Sequence, residues 1–552
     1  MTPAPGPAAP ASRARVTRAV FTAVEDRRSV LDRAHRGDIT GALGRILSQD
    51  TGPRHSLRGR AATLLAVMGP GVVVLAADND AGGISTYAQV GEDYGLRFLW
   101  LLAVLAGVLL VNQEMVARLG AVTGAGHARL IYERFGRRWG AFALGDLLAV
   151  NFLVIVTEFT GIGFGLGYFG VSRYLSVPAA ALALIALPAG GSFRRWERAV
   201  YLLVAASLAA VPAAVLVLAH HPGPLPALAA PRRAPSGGAA LMVTAMIGTT
   251  VAPWQLFFQQ SNVVDKRITA RWLRYERADT AVGTLLFALG AVAVLAACAL
   301  AFSGTSWHGA YTDAGAVAAG LGRRSGWAGS LFAVALASGS VLGAGAVTLS
   351  ASYAIGDVAG TRHSLHRPWR EARVFHGSYA ALVVLAAAVT LIPGVPLGIV
   401  TTGVQALAGV LLPSALVFLL LLCNDQAVLG PWVNPRWLNV IAAAVTATFL
   451  VLSALLVAGT LFPDLAVSWR TAALVLLPAA VLGAALGARL SPSGPPGPPR
   501  SSRSGPPAWT MPPIETLTPP PASRARLLGL VALRAYLLLA AAVVIIKVAS
   551  LI

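Results

Sequence analysis

The sequence predicts an all-α polytopic membrane protein, and three observations carry that reading. The chain of 552 residues is 56% hydrophobic and 12% charged, with a mean hydropathy of +0.68. A soluble chain carries about 25% charged residues. Apolar runs long enough to span a bilayer, on the criterion of about 20 residues, recur along the sequence. Two of those runs, five spans apart, are interrupted in their middles by residues that an ordinary spanning helix does not carry.

The first 60 residues read as a cytoplasmic tail. A Pro/Ala-rich stretch leads into a mixed-charge stretch around 20–47, which is either an amphipathic surface helix or a partly ordered tail. Arg, Asp and Glu interrupt the region throughout, so no signal peptide is expected. Twelve spans are expected in the core, 61–490: 64–88, 98–119, 140–169, 177–189, 199–219, 240–264, 280–302, 329–355, 378–392, 397–423, 438–461 and 471–490. A Pro/Ser/Gly-rich linker at 491–523 reads as flexible, and a further span at 527–552, within the segment 524–552, would close the chain.

Loop charge sets the direction of threading. The formal net charge of +20 comes from Arg residues in short loops rather than from a nucleic-acid-binding face. With the N-terminus cytoplasmic, the inner loops hold clusters such as Arg129/Arg134/Arg137/Arg138, Arg194/Arg195/Arg198 and Lys266/Arg267/Arg271/Arg274/Arg277. The outer loops hold isolated residues or pairs: Arg97, Arg173, Arg232/Arg233, Arg323/Arg324 and Arg470. That asymmetry is the positive-inside pattern, expected here for a bacterial plasma membrane. Cys298 and Cys423 both fall in apolar runs, too few for a disulfide framework and without metal-ligand spacing.

The first interruption lies in the stretch GPGVVVLAADNDAGGISTYAQ, where Asp78, Asn79 and Asp80 are followed by Ala81, Gly82 and Gly83. Each carboxylate costs about 2.5–3.5 kcal/mol at the centre of a spanning helix even on the lenient insertion scale. The glycine pair is expected to let the helix unwind and free backbone carbonyls, which is tolerated only where they line a cavity or an ion. Carboxylates with freed carbonyls make a hard, oxygen-rich cation site. The second interruption is MVTAMIGTTVAPWQLFFQQSNVVDK, where Pro253 removes a backbone donor and Thr249, Thr250 and Gln255 cluster around it. Asp78 reads either as a metal ligand or as the N-cap of a half-helix starting near Ala81. Gln405 reads either as a ligand or as an interhelical hydrogen-bond partner. Glu92 and Asp93 are either a cation-concentrating pair at the outer mouth or a solvated loop face.

These residues resemble the NRAMP family of divalent-metal transporters. The similarity covers roughly 64–490 and rests on GPG at 69–71, YG-x-x-x-LW at 94–100, ARLGAVTG at 117–124, IG-x-T-V-x-P at 247–253, ALASG at 335–339 and ND-x-x-x-LG-x-x-VN at 424–434. The resemblance implies a LeuT-like fold of two inverted five-helix repeats, with discontinuous first and sixth transmembrane helices. The family's Asp-Pro-Gly-Asn motif falls on Asp80, Ala81, Gly82 and Gly83, keeping the metal-binding Asp and losing the Asn. Its Met-Pro-His falls on Ala252, Pro253 and Trp254, so the thioether and the histidine are both absent. A second family histidine falls on Gln259. The proton-transferring acid of the third segment falls on Ile155, beside a matched Glu158, and the family's glutamine in the tenth segment falls on Gln405. This pattern is similar to the NRAMP-related magnesium transporter branch.

The resemblance and the donor chemistry together give the expected site: Asp80, Asp78, Asn79, Thr249 and Gln405 for the metal, Ala252 as the selectivity position, and Gly82, Gly83 and Pro253 as helix breaks. A soft thioether favours manganese, iron and cadmium; its replacement by Ala252 leaves oxygen donors suited to partly hydrated Mg²⁺ or Mn²⁺. Glu158, in a small-residue segment, reads as a structural residue. The expected activity is transport of divalent cations, Mg²⁺ and Mn²⁺ favoured, without tight proton coupling. A proton-coupled manganese or iron importer is the alternative, and a sodium-coupled small-solute symporter a remote one. No H-E-x-x-H or G-x-S-x-G pattern occurs, so no enzyme is expected. The expected partners are the transported ion and the bilayer, with no resident cofactor, nucleic acid or obligate protein partner.

Overall fold

The computed structural model describes residues 37–50, 52–221, 238–302, 305–306, 310–394, 397–461, 469–490 and 511–517, with scattered positions between 531 and 542. Each of the twelve segments expected between 61 and 490 is helical. Among the described residues, nine helices are long and apolar enough to cross a membrane, or ten if one bent pair counts as a single span. The tail before residue 37, most of the 491–523 linker and most of the closing segment lie outside the described residues.

The first described element is a small hairpin, so the mixed-charge stretch is not helical over 39–46. Ile39–Thr40 (β1) pairs antiparallel with Arg45–Ile46 (β2), with Ile39 opposite Ile46. Gly41 and Gly44 make the turn, where the Gly41 N–H donates to the Gly44 carbonyl at 2.9 Å. Ile39 and Ile46 are buried with Ala66, Val67, Val263 and Trp272 in a small core of their own.

The first span comes in three pieces. Leu57–Val67 (α1) and Pro70–Ala76 (α2) meet at a bend of 54°. Pro70 opens α2 at a position where its missing N–H costs nothing, and the Asp279 carboxylate caps it. The Gly69 and Val72 N–H groups donate to Asp279 Oδ1 at 3.0 and 3.3 Å, and the Gly71 N–H to Oδ2 at 2.6 Å. Residues 77–80 then leave the helix, and Ala81–Tyr94 (α3) resumes it. Leu99–Thr123 (α4), His127–Phe135 (α5) and Arg137–Gly167 (α6) follow, then Arg173–Ala189 (α7), Phe193–Ser207 (α8) and Ala210–Ala219 (α9).

The sixth span is broken as expected. Gly238–Thr250 (α10) stops, Val251 and Ala252 are non-helical, and Pro253–Asp265 (α11) begins on its proline. Leu273–Phe302 (α12), Ala314–Arg324 (α13), Gly326–Ala359 (α14), Arg373–Thr390 (α15) and Leu397–Cys423 (α16) complete the second repeat. Gln426–Leu429 (α17), Arg436–Leu461 (α18) and Trp469–Leu490 (α19) lie beyond it.

Small residues let these helices close on the first break. A Cβ at Gly339 of α14 would lie 2.1 Å from the Asn79 carbonyl, and one at Gly343 would lie 2.8 Å from the Asp80 Cβ. A Cβ at Gly161 of α6 would lie 2.4 Å from the Ala81 Cβ. Close backbone approach through small residues is how membrane helices gain packing energy where lipid is as apolar as leucine.

Candidate functional site

The two breaks face one another and are joined by hydrogen bonds. The Gln255 amide of α11 donates to Asp78 Oδ1, and also to the Thr250 carbonyl at 3.0 Å. The Tyr87 hydroxyl of α3 is 2.8 Å from that of Thr250 at the end of α10. Gln405 of α16 joins both sides. Its backbone carbonyl would be 2.0 Å from a Cβ at Gly248, and its side-chain nitrogen 1.9 Å from a Cβ at Gly82.

Among the expected ligands, the structure distributes the tasks unevenly. Asp80, not Asp78, caps α3: its Oδ1 accepts the Gly83 N–H at 2.7 Å. Glu158 of α6 lies at the same helix start, where its Oε2 accepts the Ala81 N–H at 3.1 Å. Asp78 is fully buried, with Oδ1 on Gln255 and Oδ2 without a hydrogen-bond partner. Thr249 Oγ1 and Gln405 Nε2 are likewise buried without partners. Asn79 Oδ1 is also buried without a partner, although a buried polar atom normally has one.

The Asn79 amide bonds to α12 through its nitrogen. That nitrogen donates toward the Phe287 carbonyl at 3.3 Å, and the amide packs where a Cβ at Gly290 would sit, both on α12. Gly82 and Gly83 are not where the helix opens: both lie in the first turn of α3, and the non-helical residues are 77–80. The glycines serve close approach instead. A Cβ at Gly83 would lie 2.2 Å from the Asp78 carbonyl, as one at Gly82 would strike Gln405. Pro253 opens α11 at the second break, and Ala252 is buried in extended backbone at its N-cap.

Further out, Glu92 is buried in α3 at 2% exposure rather than solvated. Gln259, where the family histidine was expected, donates to the Thr280 hydroxyl at 3.1 Å, and Ile155 is wholly buried. Among the described residues, no group of three or more His, Cys, Asp or Glu side chains is placed to hold a metal ion. The donors at the breaks are one or two carboxylates, a hydroxyl, an amide and the carbonyls that helix ends leave open.

Broken first and sixth spans meeting inside two inverted repeats define a helical membrane protein of the LeuT-like fold. The model of the family described as "Natural resistance-associated macrophage protein-like" matches residues 71–459. The chain belongs to this Nramp family. It is 33% identical over 245 residues to the divalent metal cation transporter MntH of Verminephrobacter eiseniae, a match spanning 41% of this chain and 52% of that protein. It is 29% identical over 406 residues to divalent metal cation transporter MntH 1 of Pseudomonas aeruginosa, across 69% of this chain and 88% of the relative. A manganese transporter of Eremococcus coleocola superposes with a TM-score of 0.58 at 19% identity, covering 80% of this chain and 98% of that one, a likeness of fold.

Proposed function

We propose that the protein carries divalent metal cations across the membrane, Mg²⁺ and Mn²⁺ foremost, without tight coupling to protons. The carrying observation is the contact between the breaks through Gln255, with unpartnered Asp78 Oδ2 and Thr249 Oγ1 beside it. The donors are oxygens and an amide, with neither thioether nor imidazole, which suits hard or borderline cations. The named function of the MntH relatives supports the divalent class. The site residues are Asp80, Asp78, Asn79, Thr249 and Gln405, with Asn79 Nδ2 also holding the break to α12 and its Oδ1 without a partner.

One observation favours a second reading, proton-coupled manganese import. Glu158 sets a second, wholly buried carboxyl group against the first break, its Oε2 accepting the Ala81 N–H and its Oε1 without a partner, and a carboxyl group can serve as a proton carrier. A cation taken by Asp80 would favour loss of a proton from Glu158. Uptake of Mn²⁺ and Mg²⁺ into proteoliposomes, with luminal pH recorded in parallel, separates the readings. Metal entry without luminal acidification is expected. Metal-dependent acidification that disappears in Glu158→Gln would establish the second reading, and absence of uptake for either ion would defeat both.

A further inference from the structure

Gln255 lies outside the set of expected ligands, yet three hydrogen bonds fix its side chain. Nε2 donates to Asp78 Oδ1 and to the Thr250 carbonyl, while Oε1 accepts from Gln113 Nε2 of α4 at 3.2 Å. Gln113, Gln255 and Asp78 are each wholly buried. The amide cannot rotate by half a turn without turning its oxygen onto the Asp78 carboxylate and the Thr250 carbonyl. One oxygen of Asp78 is thereby committed, and the other, Oδ2, has no partner. Asp80 likewise spends Oδ1 on the Gly83 N–H.

We propose that Gln255 is a specificity-determining residue: by holding Asp78 Oδ1 it makes Asp78 a one-oxygen ligand and selects small six-coordinate cations against Ca²⁺. The inference rests on the divalent-cation reading above. Ca²⁺ gathers six to eight oxygens at about 2.3–2.6 Å and commonly completes its shell with two-oxygen carboxylates; Mg²⁺ holds a tight octahedron at about 2.0–2.1 Å and keeps waters. Chelation through both oxygens of Asp78 would set the cation against the Gln255 N–H at Oδ1 and weaken that bond, leaving the amide to lean on the Thr250 carbonyl. A buried donor with a weakened bond recovers less of its desolvation cost, so the penalty falls on the ion that needs the second oxygen. A one-oxygen contact with Mg²⁺ or Mn²⁺ leaves the Gln255 bond intact.

Competition of Ca²⁺ against Mn²⁺ uptake in proteoliposomes of the full chain tests this, in wild type, Gln255→Met and Gln113→Leu. Met fills similar space without an N–H. In Gln255→Met the Ca²⁺ concentration that halves Mn²⁺ uptake, relative to the half-saturating Mn²⁺ concentration, should fall about tenfold, the change one lost discriminating contact brings. Gln113→Leu removes the partner that orients Gln255 without touching Asp78, and should shift the ratio the same way by less. A merely structural role would lower uptake and leave the ratio alone. Wild-type Mn²⁺ uptake with an unchanged ratio in the variants overturns the role of Gln255 and leaves the transport reading standing; absent wild-type uptake removes both. Should Gln255→Met fail to fold, the ratio in Gln113→Leu decides.

Discussion

At the scale of single residues, Asp80 has two duties that a well-chosen substitution separates. Its Oδ1 caps α3, and its charge lies where the resemblance puts the metal-binding carboxylate. Asn is as good an N-cap as Asp, whereas Ala loses about 1 kcal/mol. Asp80→Asn should therefore keep the fold and thermal stability while Mn²⁺ and Mg²⁺ uptake falls below detection. Uptake near wild type in this variant would take Asp80 out of the site. Ala252 tests the other break, where it stands buried beside Pro253. Ala252→Met would restore a thioether and fill space that a hydrated Mg²⁺ needs. Both effects favour Cd²⁺ over Mg²⁺, by about tenfold or roughly 1.4 kcal/mol. Competition of the two ions for Mn²⁺ uptake measures it, and an unchanged ratio with transport intact would place residue 252 away from the ion.

At the scale of elements, the joint between α1 and α2 is held by a buried ion pair. Lys266, at the end of α11, meets Glu197 of α8 at 2.6 Å, with side chains 0% and 1% exposed. Lys266 also donates to the Met68 carbonyl at the joint, and Glu197 accepts the Ala42 N–H of the hairpin. One pair thus ties the hairpin, the joint and two helices. Removing one member of a buried pair costs about 3–5 kcal/mol because the other charge is stranded. Lys266→Met should lower thermal stability in detergent by that order, and adding Glu197→Gln should recover part of it. Equal melting of Lys266→Met and wild type would show the pair to be idle. Little of this joint was legible in the sequence. The partners are 69 residues apart, and the strands of two residues are too short to leave a periodic pattern. The breaks themselves were legible, because Asp78, Asp80 and Pro253 are costly in apolar helices. The opening peptide was misplaced for a physical reason. A glycine pair marks unwinding or close approach equally well, and only the positions of Gln405 and the Asp78 carbonyl show that Gly82 and Gly83 serve approach. Gln255 was visible as a polar residue near Pro253, but its partner Asp78 lies 177 residues away.

At the scale of the whole molecule, the direction of threading decides which closure faces the cytoplasm. Cation-rich loops are retained inside, and the Arg clusters lie on the side of the hairpin and the Lys266 joint if the N-terminus is cytoplasmic. The α1–α2 joint, Glu197 and Lys266 then form the inner closure beneath the breaks, and the C-terminal end of α3, with Glu92, lies toward the outside. The two native cysteines, Cys298 and Cys423, are both buried, so a surface cysteine introduced singly reports its own location. Arg138 and Arg324 are both exposed and fall on opposite sides of the expected threading. Arg324→Cys should react with a membrane-impermeant maleimide in intact cells, and Arg138→Cys only after the membrane is permeabilised. The opposite pattern would invert the molecule. The buried ion pair would then close the outer face, and an ion arriving from outside would meet Lys266 before Asp80.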